Sequence, residues 1–413
     1  MGEMSAGYLW RRAIARIGAE VRMQRLMVFF IVLVLGACAS TPISQRAPDL
    51  FRDSWFKPAD EPIDSDAVFA LSDPMRSYLK TGIARQLHTE KPQLGLIKAL
   101  QSGGKLNIEY DATFTRNAAE AFAAGAGNCL SLVILTASLA DEMGLDVQFQ
   151  EVLGERAMSR NGDLVFYNGH VNVALREKFA EQGVKSTDTT ATVIDFLPDR
   201  YRLGQPVRNV SQSTVTAMYM NNRAAESLAS GQIDNAYWWA RTAIDLEPRY
   251  TATYNTLGLI YRRHGHINQA AFVFEHALAV EPANTVAMAN VIPVLRALRR
   301  DSEAERWANR LRQLQPYPPF HFFDLGRNAM AKGDFVSASQ LFQKEIERAA
   351  YYHEFHYWLA LAYVGMHDPE RARKHFAIAR DNATTRADAA HYQMALDAQE
   401  RQIRARHAFG STR

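Results

Sequence analysis

Residues 248–282 read PRYTATYNTLGLIYRRHGHINQAAFVFEHALAVEP, and this stretch decides the fold of the C-terminal half. It runs from one proline to the next, 34 positions on, with Leu257, Gly258, Ala270 and Phe274 between them. The same columns return along the chain. Ala236, Ala270, Ala304, Ala338 and Ala372 lie 34 apart, and Pro248, Pro282 and Pro316 share that register. So do Leu257, Val291, Leu325 and Leu359, then Gly258 with Gly326, and Phe274 with Phe342 and Phe376. A fixed period of this length marks a supersecondary unit that cannot bury its apolar face alone and stacks on its neighbours. Each unit is expected to be two antiparallel helices. Alanine lets the helices approach closely, large apolar residues fill the gaps, and proline closes the second helix. Five units fit in residues 217–386. The stretch 387–413 then supplies a charged helix, to about residue 408, that covers the last apolar face.

This pattern resembles the tetratricopeptide repeat and implies an all-α solenoid whose surface takes a protein or peptide partner. Three residues depart from it. Pro293 falls inside the first helix of the third unit and is expected to kink or shorten it. Glu345 stands where a small residue is usual, and Arg223 occupies the column otherwise filled by Leu or Val.

The opposite end of the chain sets a compartment. Arg25 precedes Leu26–Leu35, an unbroken apolar run, and Leu35-Gly36-Ala37-Cys38 follows directly. A charged start, a short apolar core and small residues before a cleavage point are the marks of a secretory signal. The run is too short to span a bilayer, which needs roughly 20 helical residues. The cysteine after Leu-Gly-Ala resembles the lipobox of bacterial lipoproteins. That resemblance implies cleavage before Cys38, lipidation of Cys38, and anchoring at the periplasmic face of the outer membrane, since Ala39 and Ser40 stand directly after the cysteine in place of an acidic retention signal. Residues 1–37 are therefore read as a signal peptide with an upstream extension, and residues 38–65, with Pro42, Pro48, Pro58 and Pro62, as an irregular tether. Removing residues 1–37 leaves 42 basic and 42 acidic residues, a balance with no global footprint for nucleic acid.

Residues 66–205 form a first domain, long enough for its own core. Ser72-Asp73-Pro74 is a helix-start signal near its beginning. Its central segment is Gly125-Ala126-Gly127-Asn128-Cys129, followed by Leu130, Val133, Ile134, Ala137 and Ala140 at helical spacing and closed by Met143-Gly144. Cys129 is thus expected at a helix N-terminus, where the helix dipole stabilises negative charge on its sulfur and backbone N–H groups point at an attacked carbonyl. The domain holds two histidines. His88 lies among polar residues near the end of an amphipathic helix, whereas His170 opens the alternating strand His170-Val171-Asn172-Val173-Ala174-Leu175. Ala191–Phe196 reads as another strand, with Asp195 embedded in apolar sequence and in need of a partner.

A Gly-x-Cys turn at a helix start, a strand-borne His and then a strand-borne Asp resemble the transglutaminase-like superfamily, whose core fold is similar to that of papain. The resemblance covers roughly residues 110–200. It implies an α+β domain in which Cys129 is the nucleophile, His170 the base and acid, and Asp195 the orienting group. The second oxyanion donor is left unassigned, with Tyr110 no more than a guess. One thiol with one histidine is a poor zinc set, no phosphate-binding glycine loop is present, and no cofactor is expected. Two functions are carried forward. One is a cysteine hydrolase or transamidase acting on amide bonds. The other is a non-catalytic, lipid-anchored scaffold that assembles an envelope complex.

Overall fold

The computed structural model describes residues 49–82, 91–100, 106, 108–161, 164–177, 191–196 and 206–410. The signal segment, Cys38 and His88 lie outside these. All described elements belong to one unit, Ala47–Arg413.

The first part mixes helices and strands. Helix α1 (Asp73–Ser77) starts at Ser72 with Pro74 in its first turn and passes into a π-turn at Tyr78–Gly82. Helix α2 is Pro92–Leu100 and α3 is Ala118–Ala124. Asn117 and Glu120 form a reciprocal capping box on α3, which satisfies two otherwise orphaned N–H donors. Helix α4, Cys129–Glu142, is buried at every position from Leu130 to Ala140. It packs on a four-stranded antiparallel sheet of order β5-β4-β3-β6. Those strands are β3 (Leu145–Asn161), β4 (Leu164–Glu177), β5 (Thr192–Ile194) and β6 (Val207–Val210). A parallel two-residue pair, β1 (Glu109–Tyr110) with β2 (Ala126–Gly127), lies just before α4.

The second part is helical throughout. Five helix pairs follow one another among the described residues: α5/α6 (Gln212–Ala229, Ile233–Leu246), α7/α8 (Thr251–Arg263, Ile267–Val280), α9/α10 (Thr285–Ala297, Asp301–Leu314), α11/α12 (His321–Ala331, Phe335–Arg348) and α13/α14 (His353–Gly365, Pro369–Asp381). A single long helix, α15 (Arg386–Gly410), ends the described chain. This C-terminal region is an all-helical repeat array resembling a tetratricopeptide solenoid, and its columns have the physical roles the period implies. All five column alanines are fully buried. A Cβ on Gly258 would sit 2.5 Å from the Phe274 ring, and one on Gly326 would sit 2.6 Å from Phe342. The glycines are therefore the space into which the column phenylalanines fit, and each buried Phe is worth roughly 2–3 kcal/mol of removed apolar surface.

The departures resolve individually. Helix α9 runs through Pro293 and keeps 13 residues, the length of α7, so it is not shortened. Glu345 is fully buried, yet its Oε2 accepts N–H bonds from Phe322 (2.9 Å) and Phe323 (3.3 Å) at the start of α11, and Arg348 pairs with its Oε1 at 2.9 Å. Arg223 bonds to Glu61 at 3.0 Å and lies over the Trp239 ring, whose Nε1–H also donates to Glu61.

Two features were not expected. Part of the stretch read as a tether is packed onto the repeats. Leu50 is fully buried, the Leu50 carbonyl accepts from Tyr261 Oη at 2.8 Å, and Phe56 stacks on Tyr237 at 3.8 Å. The array also carries two apolar cores. One runs from Leu50 through the α+β part to Ala308, and the second from Phe320 to Leu396. Leu325, a column residue on α11, is 43% exposed and belongs to neither core.

Candidate thiol site

The turn that carries Cys129 is fixed from several sides. Gly125 ends α3 in the left-handed region at φ 59°, which glycine adopts without steric cost. The chain then runs beside β1, with Glu109 N–H donating to the Gly125 carbonyl and Asp111 N–H to the Gly127 carbonyl, both at 2.9 Å. Gly127 cannot bear a side chain, since its Cβ would stand 2.7 Å from that of Ser131. Asn128 caps α4: its Oδ1 accepts from Ser131 N–H at 2.9 Å, and its Nδ2 donates to Thr115 Oγ1 at 2.9 Å. Cys129 is consequently the first residue of α4, as the sequence predicts, and it is a free, partly exposed thiol.

His170 lies on β4, opposite Val152 of β3. Asp195 follows the last residue of β5 directly; the ladder ends at Val173 with Ile194, so the strand is shorter than the sequence suggests and the carboxylate turns out of it. His170 Nε2 and Asp195 Oδ1 are 2.9 Å apart, and both side chains are 7% exposed. That leaves Nδ1 for the sulfur. Burial disfavours a charged ring, but hydrogen bonds to Asp195 and to Cys129, and the charges they carry, outweigh it and raise His170 from 6.5 to about 9. The imidazole therefore holds its proton at neutral pH. The three residues singled out from the sequence are brought together.

Two further groups belong to the site. Tyr110, directly before the loop that faces the cysteine turn, has its hydroxyl against the Cys129 backbone N–H; burial first, then charge at Cys129, push its phenol well above the ordinary value, so it remains a donor. Asn172 shares the buried face of His170, and its Oδ1 has no partner among the described residues. The sequence names Tyr110 for the second oxyanion donor but supplies no argument for it, because a two-residue strand has no period to detect. Thr115, which holds the Asn128 cap, also accepts from Asn222 Nδ2 on α5 at 3.3 Å, and its N–H donates to Glu226 at 2.8 Å. That link joins residues more than a hundred positions apart and has no local signal. Among the described residues no group of three His, Cys, Asp or Glu is placed to hold a metal ion.

No protein-family model matches the chain, and no curated protein matches it. Among solved structures it is similar to YrrB, described as a TPR protein with an unusual peptide-binding site, at 20% identity over 43% of this chain and 92% of that one, with a TM-score of 0.24. It is also similar to TTC0263, a thermophilic TPR protein in Thermus thermophilus, at 17% identity over 44% and 98%, with a TM-score of 0.28. A third is the MamA protein, at 18% identity over 42% and 93%, with a TM-score of 0.24.

Proposed function

We propose that the chain is a thiol enzyme of transglutaminase-like type that acts on amide bonds, carried on a tetratricopeptide array and anchored in the bacterial envelope by a lipid on Cys38. The observation that carries this reading is the buried His170–Asp195 pair beside a cysteine at a helix start. The Cys129 thiolate attacks the carbonyl carbon and a C–S bond forms. The oxyanion is held by the Tyr110 hydroxyl, whose oxygen in turn accepts from the Cys129 N–H. His170 gives its proton to the amide nitrogen, the C–N bond breaks and the amine leaves a thioester. Water then attacks, losing a proton to His170, and the acid is released; an amine in place of water completes transamidation. Asp195 keeps the ring oriented through Nε2. Hydrolysis is the preferred outcome, since solitary bacterial domains of this kind are more often hydrolytic by the family resemblance. The test is turnover of peptide and glutamine-amide substrates by the full chain and by Cys129→Ala. The reading requires turnover only in the former, with unchanged melting.

A lipid-anchored scaffold is the second reading. It is favoured by the breadth of the repeat surface, which is complete without any reaction at Cys129. A cell carrying Cys129→Ala with an unaltered phenotype supports the scaffold; loss of function on that single change supports the enzyme.

A further inference from the structure

Residues 109–116 carry Tyr110 past the cysteine turn, and little in their own backbone holds them there. Only Glu109 and Tyr110 are strand, paired in parallel with Ala126 and Gly127. A ladder that short is not stable by itself. The segment is therefore set by what grips it from outside, and both ends of the repeat array do so. Toward its C-terminal end, Thr115 N–H donates to Glu226 on α5 at 2.8 Å, and Thr115 Oγ1 accepts from Asn222 Nδ2 at 3.3 Å. Toward its N-terminal end, Ala112 N–H donates to the Thr384 carbonyl at 2.8 Å. Arg386, the first residue of α15, donates to Glu109 Oε2 from Nε at 2.9 Å and from Nη2 at 2.5 Å, across 277 positions of chain. The junction before α15 is itself fixed. Thr384 Oγ1 lies 3.2 Å from His353 Nε2 on α13, and Thr385 Oγ1 accepts from Asp388 N–H at 3.0 Å.

We propose that the junction between the last repeat and α15, Thr384 to Arg386, is a positioning element of the thiol site, a latch that holds β1 against the cysteine turn and so keeps Tyr110 where the oxyanion forms. The proposal rests on the thiol reading above. The two latch contacts flank Tyr110, one on the residue before it and one two residues after it. Between them Asp111 N–H donates to the Gly127 carbonyl at 2.9 Å, two residues before Cys129. A shift of the latch is therefore a shift of Tyr110 relative to the sulfur. Misplacing a catalytic group by about 1 Å is enough to cost on the order of a hundredfold in rate. The main-chain bond from Ala112 fixes the height of the segment, and the Arg386 fork fixes its lateral position at Glu109. That ion pair is exposed, with Arg386 at 75% and Glu109 at 48%. An exposed pair contributes little to stability. Its effect is thus on where β1 sits and not on whether the chain folds, which makes it separable by experiment.

The test separates two reactions of Cys129. The ester p-nitrophenyl acetate acylates it: a C–S bond forms through a tetrahedral oxyanion, the C–O bond breaks and p-nitrophenolate leaves. Iodoacetamide alkylates the same sulfur by direct displacement of iodide, with no oxyanion. Both rates are measured on the full chain carrying Cys38→Ser, then with Arg386→Glu, with the exchanged pair Glu109→Arg and Arg386→Glu, and with Tyr110→Phe. Arg386→Glu sets like charges against each other at the latch. It is expected to cut acylation about tenfold, a part of the roughly hundred- to thousandfold that a lost oxyanion donor costs, and to leave alkylation and the melting temperature unchanged. The exchanged pair is expected to restore acylation. In a Tyr110→Phe chain, Arg386→Glu is expected to remove nothing further. Acylation indifferent to Arg386→Glu would overturn the proposal, as would a loss that the exchanged pair does not restore or that persists without the Tyr110 hydroxyl. Failure of the thiol reading is distinct: alkylation would then be indifferent to His170→Ala, whatever is done at Arg386.

Discussion

At the scale of single residues, the site stands or falls on how His170 is charged. Its hydrogen bonds to Asp195 and Cys129 raise it to about 9 against the pull of burial. Removing either partner should lower it, so an NMR titration of His170 in Asp195→Ala and in Cys129→Ala should each give a midpoint below that of the native chain. An unchanged midpoint in both would mean the pair contributes nothing. A group raised on folding stabilises the fold below its unfolded value and loses that contribution as pH rises through the folded one. Stability should therefore be fully supported by His170 below pH 6.5 and should decline toward pH 9, by up to roughly 3 kcal/mol. Denaturant midpoints measured across that window, for the native chain and for His170→Gln, should show the slope only in the former.

At the scale of elements, the repeats were legible because their columns recur, and two departures from the columns, Glu345 and Arg223, are held by polar partners. Glu345 is the sharpest case. Its carboxylate caps the start of α11 from the next helix, a contact that sequence spacing alone does not suggest. Glu345→Ala leaves the Phe322 and Phe323 N–H groups without their acceptor, while Arg348 keeps the Tyr317 carbonyl, and should cost about 2–4 kcal/mol by thermal or urea unfolding. A loss under about 0.5 kcal/mol, the low end for a single hydrogen bond, would show that the cap is dispensable. Gly258→Ala drives a methyl into Phe274 and should cost about 1–3 kcal/mol in the same assay. The first domain was readable in a different way. Cys129 announced itself through the Gly-x-Gly-Asn turn and the apolar helix behind it, and His170 through strand alternation. Asp195 reads from the sequence as strand-borne within Ala191–Phe196, whereas the strand is Thr192–Ile194 and Asp195 follows it directly. What long-range packing creates was not argued from the sequence: Tyr110, named only as a guess, lies at the Cys129 N–H, and the Asn222–Thr115–Asn128 link from the repeats to the cysteine turn was not foreseen.

At the scale of the whole molecule, the boundary legible in the sequence is not the boundary in the packing. Sequence composition divides the α+β part from the repeats, but one core joins the α+β part to the first three repeats, and a second core serves the last two and α15. The second core touches the first domain close to the site, where Ala112 N–H donates to the Thr384 carbonyl at 2.8 Å and Arg386 pairs with Glu109. Urea unfolding should therefore resolve two transitions, with the thiol site lost in the transition of the larger core; a single transition reported alike by Cys129 labelling and by helix signal would contradict this. Residues 49–61 matter for the same reason. Their docking by Leu50 and Phe56 ties the first repeats to the segment that follows the proposed anchor at Cys38.

The account's central claim, that Cys129 and His170 form a reactive pair, is tested most directly by the pH dependence of Cys129 alkylation by iodoacetamide, in a chain in which Cys38 is replaced by serine, with and without His170→Ala. The account predicts rapid labelling at neutral pH that collapses when His170 is removed. Slow labelling that rises only above about pH 8.5, the range of a free thiol, and that is indifferent to His170 would contradict it.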